Sequence, residues 1–335
     1  MANERDKSQV GEWLAGMPVQ SENIAFSAAE MIACAKCGKT NPPNRTSCLY
    51  CATPIELPEE LKQQAKLNPR PLENWEKGFN IIFVRTAGAA DSAGAARYLS
   101  IDPETLARML AATHPIPIVR IESEADAKIA VEQLSKFGIT ASVVSDEALK
   151  ADKPPTRLRE IEFRNGSIIV TAFNTGDRTE IVRDDLLLIV TGTVIESKTE
   201  SVEKRKKKET KLMQEIETTS DENLIDIYSC GDLTGFRIPT NGFDFSCLGA
   251  EKGLLASANI DRLRERLLKF SPAAKVIDEY SSNVSILSSV WEIVRQKDFQ
   301  GLTRTGIGRS GFAKVARTSN LTQFTKYSRL QRHLL

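Results

Sequence analysis

Four of the six cysteines fall within one short stretch, Cys34 to Cys51, which reads CAKCGKTNPPNRTSCLYC. A single Cys-x-x-Cys pair can cycle between dithiol and disulfide. Two such pairs, joined through a turn-forming Pro42-Pro43 step, instead place four thiolates where one tetrahedral ion collects them all. The expected ion is one structural zinc, held by Cys34, Cys37, Cys48 and Cys51, and its role is to fold residues 32–55. A site closed by four thiolates keeps no coordination position for water or substrate. The motif therefore constrains a fold and names no chemistry.

The rest of the chain must be read from pattern. Its 335 residues exceed what one core usually serves, so several domains are expected. Lys plus Arg number 45 against 44 for Asp plus Glu, and a net charge of +1 supplies no global field toward nucleic acid or membrane. The opening MANERDKSQVGEWLAGMPVQ lacks the apolar stretch of a signal peptide, and no run reaches the roughly 20 apolar residues of a membrane span. A cytoplasmic location follows as an expectation, and reduced thiols suit it. Cys230 and Cys247 then read as buried small residues.

Residues 1–30 read as a flexible lead, 32–55 as the metal module, and 56–78 as a linker whose short helix stops at Pro69 and Pro71. From Phe79 the order is strand, helix, helix, strand, helix, strand. Asp102 precedes Pro103 as a helix N-cap, Ser123 caps the next helix, and Gly138 ends it. Ala127, Ala130, Val131 and Leu134 form its apolar stripe. This unit spans 79–150. After LKADKPPTRL, strands accumulate over 157–300: LREIEFR, SIIVTAF, TEIVR, LLLIVTGTVIES, LIDIYS, GFRIPT and FDFSCL, followed by the helix SANIDRLRERLLKF. The charged stretch 198–222 is too polar for a core and reads as a solvated loop or helical excursion. Residues 301–335 form a basic tail.

CAKCGKTNPPNRTSCLYC resembles the short zinc ribbons of many bacterial proteins, which implies a metal and little else. The HP break at His114-Pro115 with the closing EADAKIAVEQLSKFGITASVV resembles the C-terminal domain of the ribosomal stalk protein and the similarly folded Clp-protease adaptor. Both are protein-docking modules without catalysis, so the resemblance implies docking here. The strands and helix of 157–300 resemble a pleckstrin-homology-type fold. The expected class is α+β and multidomain.

Catalytic signatures are thin. GIGRSG at 306–311 has the letters of a dinucleotide fingerprint, but no apolar strand precedes it and no acid follows from Gly301 onward. A glycine-rich turn suits it better. Asp184 and Asp185 fit a turn, and His114 a helix end. The tail carries Arg309, Lys326, Arg329 and Arg332 without an acid. Leu321, Phe324, Tyr327, Leu330 and Leu334 recur there at helical spacing, which predicts an amphipathic helix with its cations turned to water or to a polyanion. The expected function is that of a non-enzymatic zinc-ribbon adaptor binding a protein partner through Arg97, Tyr98 and Arg108, residue types favoured at interfaces. The alternative is a nucleic-acid-associated regulatory factor that uses the ribbon and the basic tail.

Overall fold

The computed structural model describes residues 31–43, 48–51, 53, 55, 67, 69–86, 88, 90–206, 209–306 and 309–335, with side chains outside 202–215 and 297–314. The expected lead over 1–30 and the helix of the linker lie outside the described residues. The chain divides into two units, Met1–Ala65 and Lys66–Leu335. In the first, β1 (Ile32–Ala33) pairs antiparallel with β2 (Thr40–Asn41).

The second unit begins with a three-stranded antiparallel sheet, β3 (Phe79–Thr86) lying between β4 (Ile116–Ile121) and β5 (Ile139–Ser145). Local chemistry sets its helices. Asp91 accepts from the Gly94 amide at the start of α1 (Ser92–Leu99), Asp102 from Thr105 at α2 (Pro103–Leu110), and Ser123 from Asp126 at α3 (Glu124–Lys136). Each such cap satisfies an otherwise orphaned donor and is worth about 1 kcal/mol. Gly138 ends α3 at φ 77°, a left-handed conformation that glycine adopts without a Cβ penalty. Ala127, Ala130 and Leu134 are buried against the sheet. A short α4 (Asp146–Leu149) follows.

The remaining strands make one large mixed sheet. They are β6 (Thr156–Phe163), β7 (Ser167–Ala172), β8 (Arg178–Val182), β9 (Leu186–Lys206), β10 (Glu209–Ser229), β11 (Phe236–Pro239), β12 (Lys275–Ile277), β13 (Val294–Gly306) and β14 (Arg309–Ser319). Their order is β13-β14-β9-β10-β11-β6-β7-β8, with β12 parallel to β9 off that path. The β11–β6 pairing is also parallel. Helix α5 (Ala256–Phe270) lays Ile260, Leu263 and Leu267 into a core shared with Ile189, Ile227 and Ile238. Two more helices complete the described elements of the unit, α6 (Tyr280–Leu287) and α7 (Leu321–His333).

Three features differ from the sequence expectation. FDFSCL is not a strand: Asp244 caps a 3-10 turn, Phe245–Glu251, broken by Gly249 at φ 56°. The stretch 198–222 is not a loop or helix but the body of a hairpin between β9 and β10, paired from Leu186↔Ser229 out to Lys206↔Glu209. Beyond Val194 and Leu224, the last buried among the described side chains of these strands, the hairpin continues as an arm, and β14 with β13 adds a second hairpin to it. Ile195 to Ser201 on β9 and Ile216 to Asn223 on β10 are exposed or half-buried, so the apolar alternation that marks a half-buried strand is missing. Finally, residues on either side of 150 share a core. Ile81, Leu106 and Leu134 belong to the same buried cluster as Leu188, Tyr228 and Phe324.

The element that joins them is α7. It is buried from Gln323 to Gln331 on every face, polar side chains included. Its Phe324 ring stacks edge-on to Tyr280 at 4.9 Å and approaches the β9 backbone so closely that a Cβ at Gly192 would fall 2.7 Å from it. Only glycine leaves room for that crossing.

Candidate metal centre

The four cysteines of the sequence motif converge. Cys34 follows β1 and Cys37 lies in the turn between β1 and β2, where Gly38 at φ 70° lets its amide reach the Cys34 carbonyl at 2.8 Å. Cys48 and Cys51 form the second knuckle, closed by the Cys48 amide on the Thr53 carbonyl at 2.8 Å. All four sulfurs lie within 4.8 Å of one another. Cys34 and Cys51 are 3.6 Å apart, and Cys37 and Cys48 3.5 Å. Four soft donors at these separations can hold one metal ion, as expected of a structural site.

The surroundings prepare the sulfurs for a cation. Burial works against the Cys48 thiolate, but the amides of Tyr50 and Cys51, with Cys37 and Asn41, outweigh it and hold its pKa down at about 6. The Thr53 hydroxyl and amide lower Cys51. Cys37 answers in the opposite sense: the Lys39 amide favours its thiolate, yet burial and the three neighbouring sulfurs push it up to about 12. Crowded thiols thus share protons unevenly, and a bound cation would displace the remainder, so metal uptake releases protons and weakens in acid. Asn41, fully buried, is a supporting residue that motif reading missed. Its Nδ2 donates to the Lys39 carbonyl at 2.9 Å and to Cys48 Sγ at 3.5 Å, while its Oδ1 accepts from the Leu49 amide at 2.8 Å. Its position directly after the first knuckle was the available signal. Lys39 caps the Tyr50 ring at 4.3 Å from its centre.

Cys48→Ser is expected to abolish metal binding and to unfold residues 32–55, leaving the melting of Lys66–Leu335 unchanged, because the cysteines and their partners all belong to the first unit. Elemental analysis with calorimetry checks both parts. Metal retained at wild-type stoichiometry, or a shifted main transition, would contradict this.

The other candidate residues are dispersed. Arg97 and Arg108 are exposed on α1 and α2, while Tyr98 is half-buried against Phe137, ring centres 6.2 Å apart. Arg309 pairs through its backbone with Gly306, the last described pair of β13 and β14, and the two residues between them in GIGRSG lie outside the described residues. The cations of the terminal helix are not turned to water. Lys326 is 6% and Arg329 2% exposed. Arg329 donates to the carbonyls of Leu233 at 2.8 Å and Lys153 at 3.0 Å, and Arg332 to those of Asp232 and Ser229. The Lys326 ammonium lies 5.9 Å from the Trp291 ring centre, and burial lowers its pKa, with Asp146 opposing. These side chains face inward because α7 is wedged between two halves of one unit, which leaves no side for solvent. They brace the interior and offer no surface to a polyanion.

His114 Nδ1 lies 3.0 Å from Glu279 Oε2. Cys230 is exposed, contrary to the buried role expected of it, because it lies in the turn that follows β10. Cys247 is half-buried, and burial pushes its thiol up to about 11. Among the described residues, no helix is long and apolar enough to cross a membrane. No protein-family model, curated protein or solved structure matches the chain.

Proposed function

We propose that the protein is a non-enzymatic cytoplasmic adaptor, built on a structural zinc knuckle and a body that presents strand edges to protein partners. The arm carries this proposal. Among the described residues, β13 and the Glu209–Glu222 part of β10 have a neighbour on one side only, and Ile216 to Asp221 are exposed. An unpaired edge is a row of free amide and carbonyl groups, the template on which a partner strand adds. The exposed Arg97 and Arg108 on α1 and α2 supply a second contact surface of the kind the stalk-like pattern implies.

Zinc is the ion proposed for the cysteine cluster. The sulfur separations of 3.5 and 3.6 Å approach the edge of a tetrahedron with zinc–sulfur bonds of about 2.3 Å, an edge of about 3.8 Å. A closed four-thiolate ion organises its own module and leaves catalysis aside.

A photo-crosslinking residue at Thr218 tests the adaptor proposal. Discrete crosslinks to protein are expected, lost when 198–217 is replaced by a short turn. Crosslinks to nucleic acid would favour the alternative, for which the arm and not α7 is the available surface: strand pairing sets Lys204, Arg205 and Lys206 opposite Lys211, Thr210 and Glu209 at its end. No arm-dependent crosslink of either kind would remove both.

A further inference from the structure

Among the described residues the arm has two free edges, and they differ in both charge and direction. From Glu209 to Glu222, β10 carries five acids (Glu209, Glu215, Glu217, Asp221 and Glu222) against Lys211. Over Val294–Gly306, β13 carries Arg295, Lys297 and Arg304 against Asp298. One edge is acidic and the other basic.

Every step from β13 through β14 and β9 to β10 is antiparallel. The outer strands therefore run in opposite directions. A second copy whose arm lies alongside in the same orientation brings its β13 antiparallel to the first copy's β10, the sense in which the whole arm is already paired. The sheet continues without reversal, and its new outer edges are again one β13 and one β10.

From this we infer that the arm is a self-association device, in which the acidic β10 edge of one copy accepts the basic β13 edge of the next. The inference rests on the adaptor proposal and specifies its partner as a second copy of this chain. Charge also excludes the competing geometry. Two β10 edges can meet antiparallel about a two-fold axis, but that sets acid against acid, and like charges across a strand pair repel. Charged edge residues ordinarily prevent sheets from joining. Here they block like edges and admit unlike ones. Such a contact is heterologous, so it does not saturate at a dimer but closes into a ring or runs on as a filament. The edges are long enough to matter: the thirteen residues of β13 extend about 45 Å at roughly 3.4 Å per residue.

The test is sedimentation velocity of the full chain with charge-swapped edges. Glu215→Lys/Glu217→Lys/Asp221→Lys makes both edges basic, and Arg295→Glu/Lys297→Glu makes both acidic. Glu217, Asp221 and Arg295 are exposed, and circular dichroism checks that each variant is folded. Wild type is expected to form species larger than dimers as concentration rises at low salt, and to dissociate at high salt. Each variant alone is expected to stay monomeric, and an equimolar mixture to regain wild-type assembly, because every contact in it is again acid to base. Wild type that remains monomeric throughout overturns the inference, as do variants that assemble like wild type or a mixture that does not recover. If self-association is absent while Thr218 still crosslinks to another protein, the second copy is the wrong partner and the adaptor proposal stands. If both are absent, the adaptor proposal falls too.

Discussion

Asp226→Ala is expected to destabilise the Lys66–Leu335 unit by about 3–5 kcal/mol, the usual consequence of leaving a buried charge without its partner. Asp226 is 1% exposed and receives Arg237 through two hydrogen bonds, Nε to Oδ1 and Nη2 to Oδ2, both 2.7 Å. The guanidinium lies 5.0 Å from the Phe324 ring centre and makes one further bond, to Thr325 Oγ1 at 3.1 Å. Without the carboxylate, that single hydroxyl and the ring are all that compensate a cation removed from water. Removing the cation as well should recover much of the loss, so Asp226→Ala/Arg237→Met is expected to be more stable than Asp226→Ala alone. Urea unfolding at constant m-value measures both. A single-variant loss below about 1 kcal/mol, the range of an exposed pair, would show that the charge is not isolated as described.

Phe324→Ala is expected to cost about 3–5 kcal/mol, the range for deleting a buried aromatic side chain. Phe324 has no exposure and lies in the cluster that includes Ile81 and Leu106 on one side and Leu188 and Tyr228 on the other. Its loss should therefore lower one calorimetric transition for the whole of 66–335 rather than split it. Two separable transitions would mean that α7 does not bind the halves into one cooperative unit. Leu321, at the exposed start of the same helix with 41% accessibility, is the control. Leu321→Ala should change stability by no more than about 0.5 kcal/mol, as surface substitutions do.

Sequence pattern made parts of this molecule legible. Over 79–146, helix caps at Asp102 and Ser123, a glycine stop at Gly138 and an apolar stripe along α3 all act between neighbours in the chain, and the observed elements fall where those signals stand. The four-cysteine cluster was equally visible, because its two Cys-x-x-Cys pairs lie close together in the chain. The arm was opaque for the opposite reason. The described side chains of β9 and β10 there are exposed or half-buried, and β9 pairs with β14 more than a hundred residues away, as in Lys198↔Arg317. No local periodicity records such a partner. Helix α7 misled in a third way. Its apolar stripe is real, with Phe324, Tyr327 and Leu330 all buried, but an amphipathic pattern predicts that the polar side meets water. Here that side meets carbonyl groups from distant segments, such as Pro115, which accepts from Gln331 Nε2 at 2.8 Å.

The position of α7 also dictates when this protein can fold. Residues 321–333 are synthesised after every element they pack against, yet they occupy the middle of the unit. On the ribosome, the strands and helices of 79–287 must wait with a central slot unfilled, exposing Tyr228, Tyr280 and the Asp226–Arg237 pair that α7 later covers. Local hairpins and capped helices can form during elongation, but the cooperative core cannot close until α7 has emerged from the exit tunnel. A nascent chain stalled before Leu321 would hold a carboxylate, a guanidinium and two aromatic rings open to water, which makes it a substrate for chaperones and proteases until synthesis resumes.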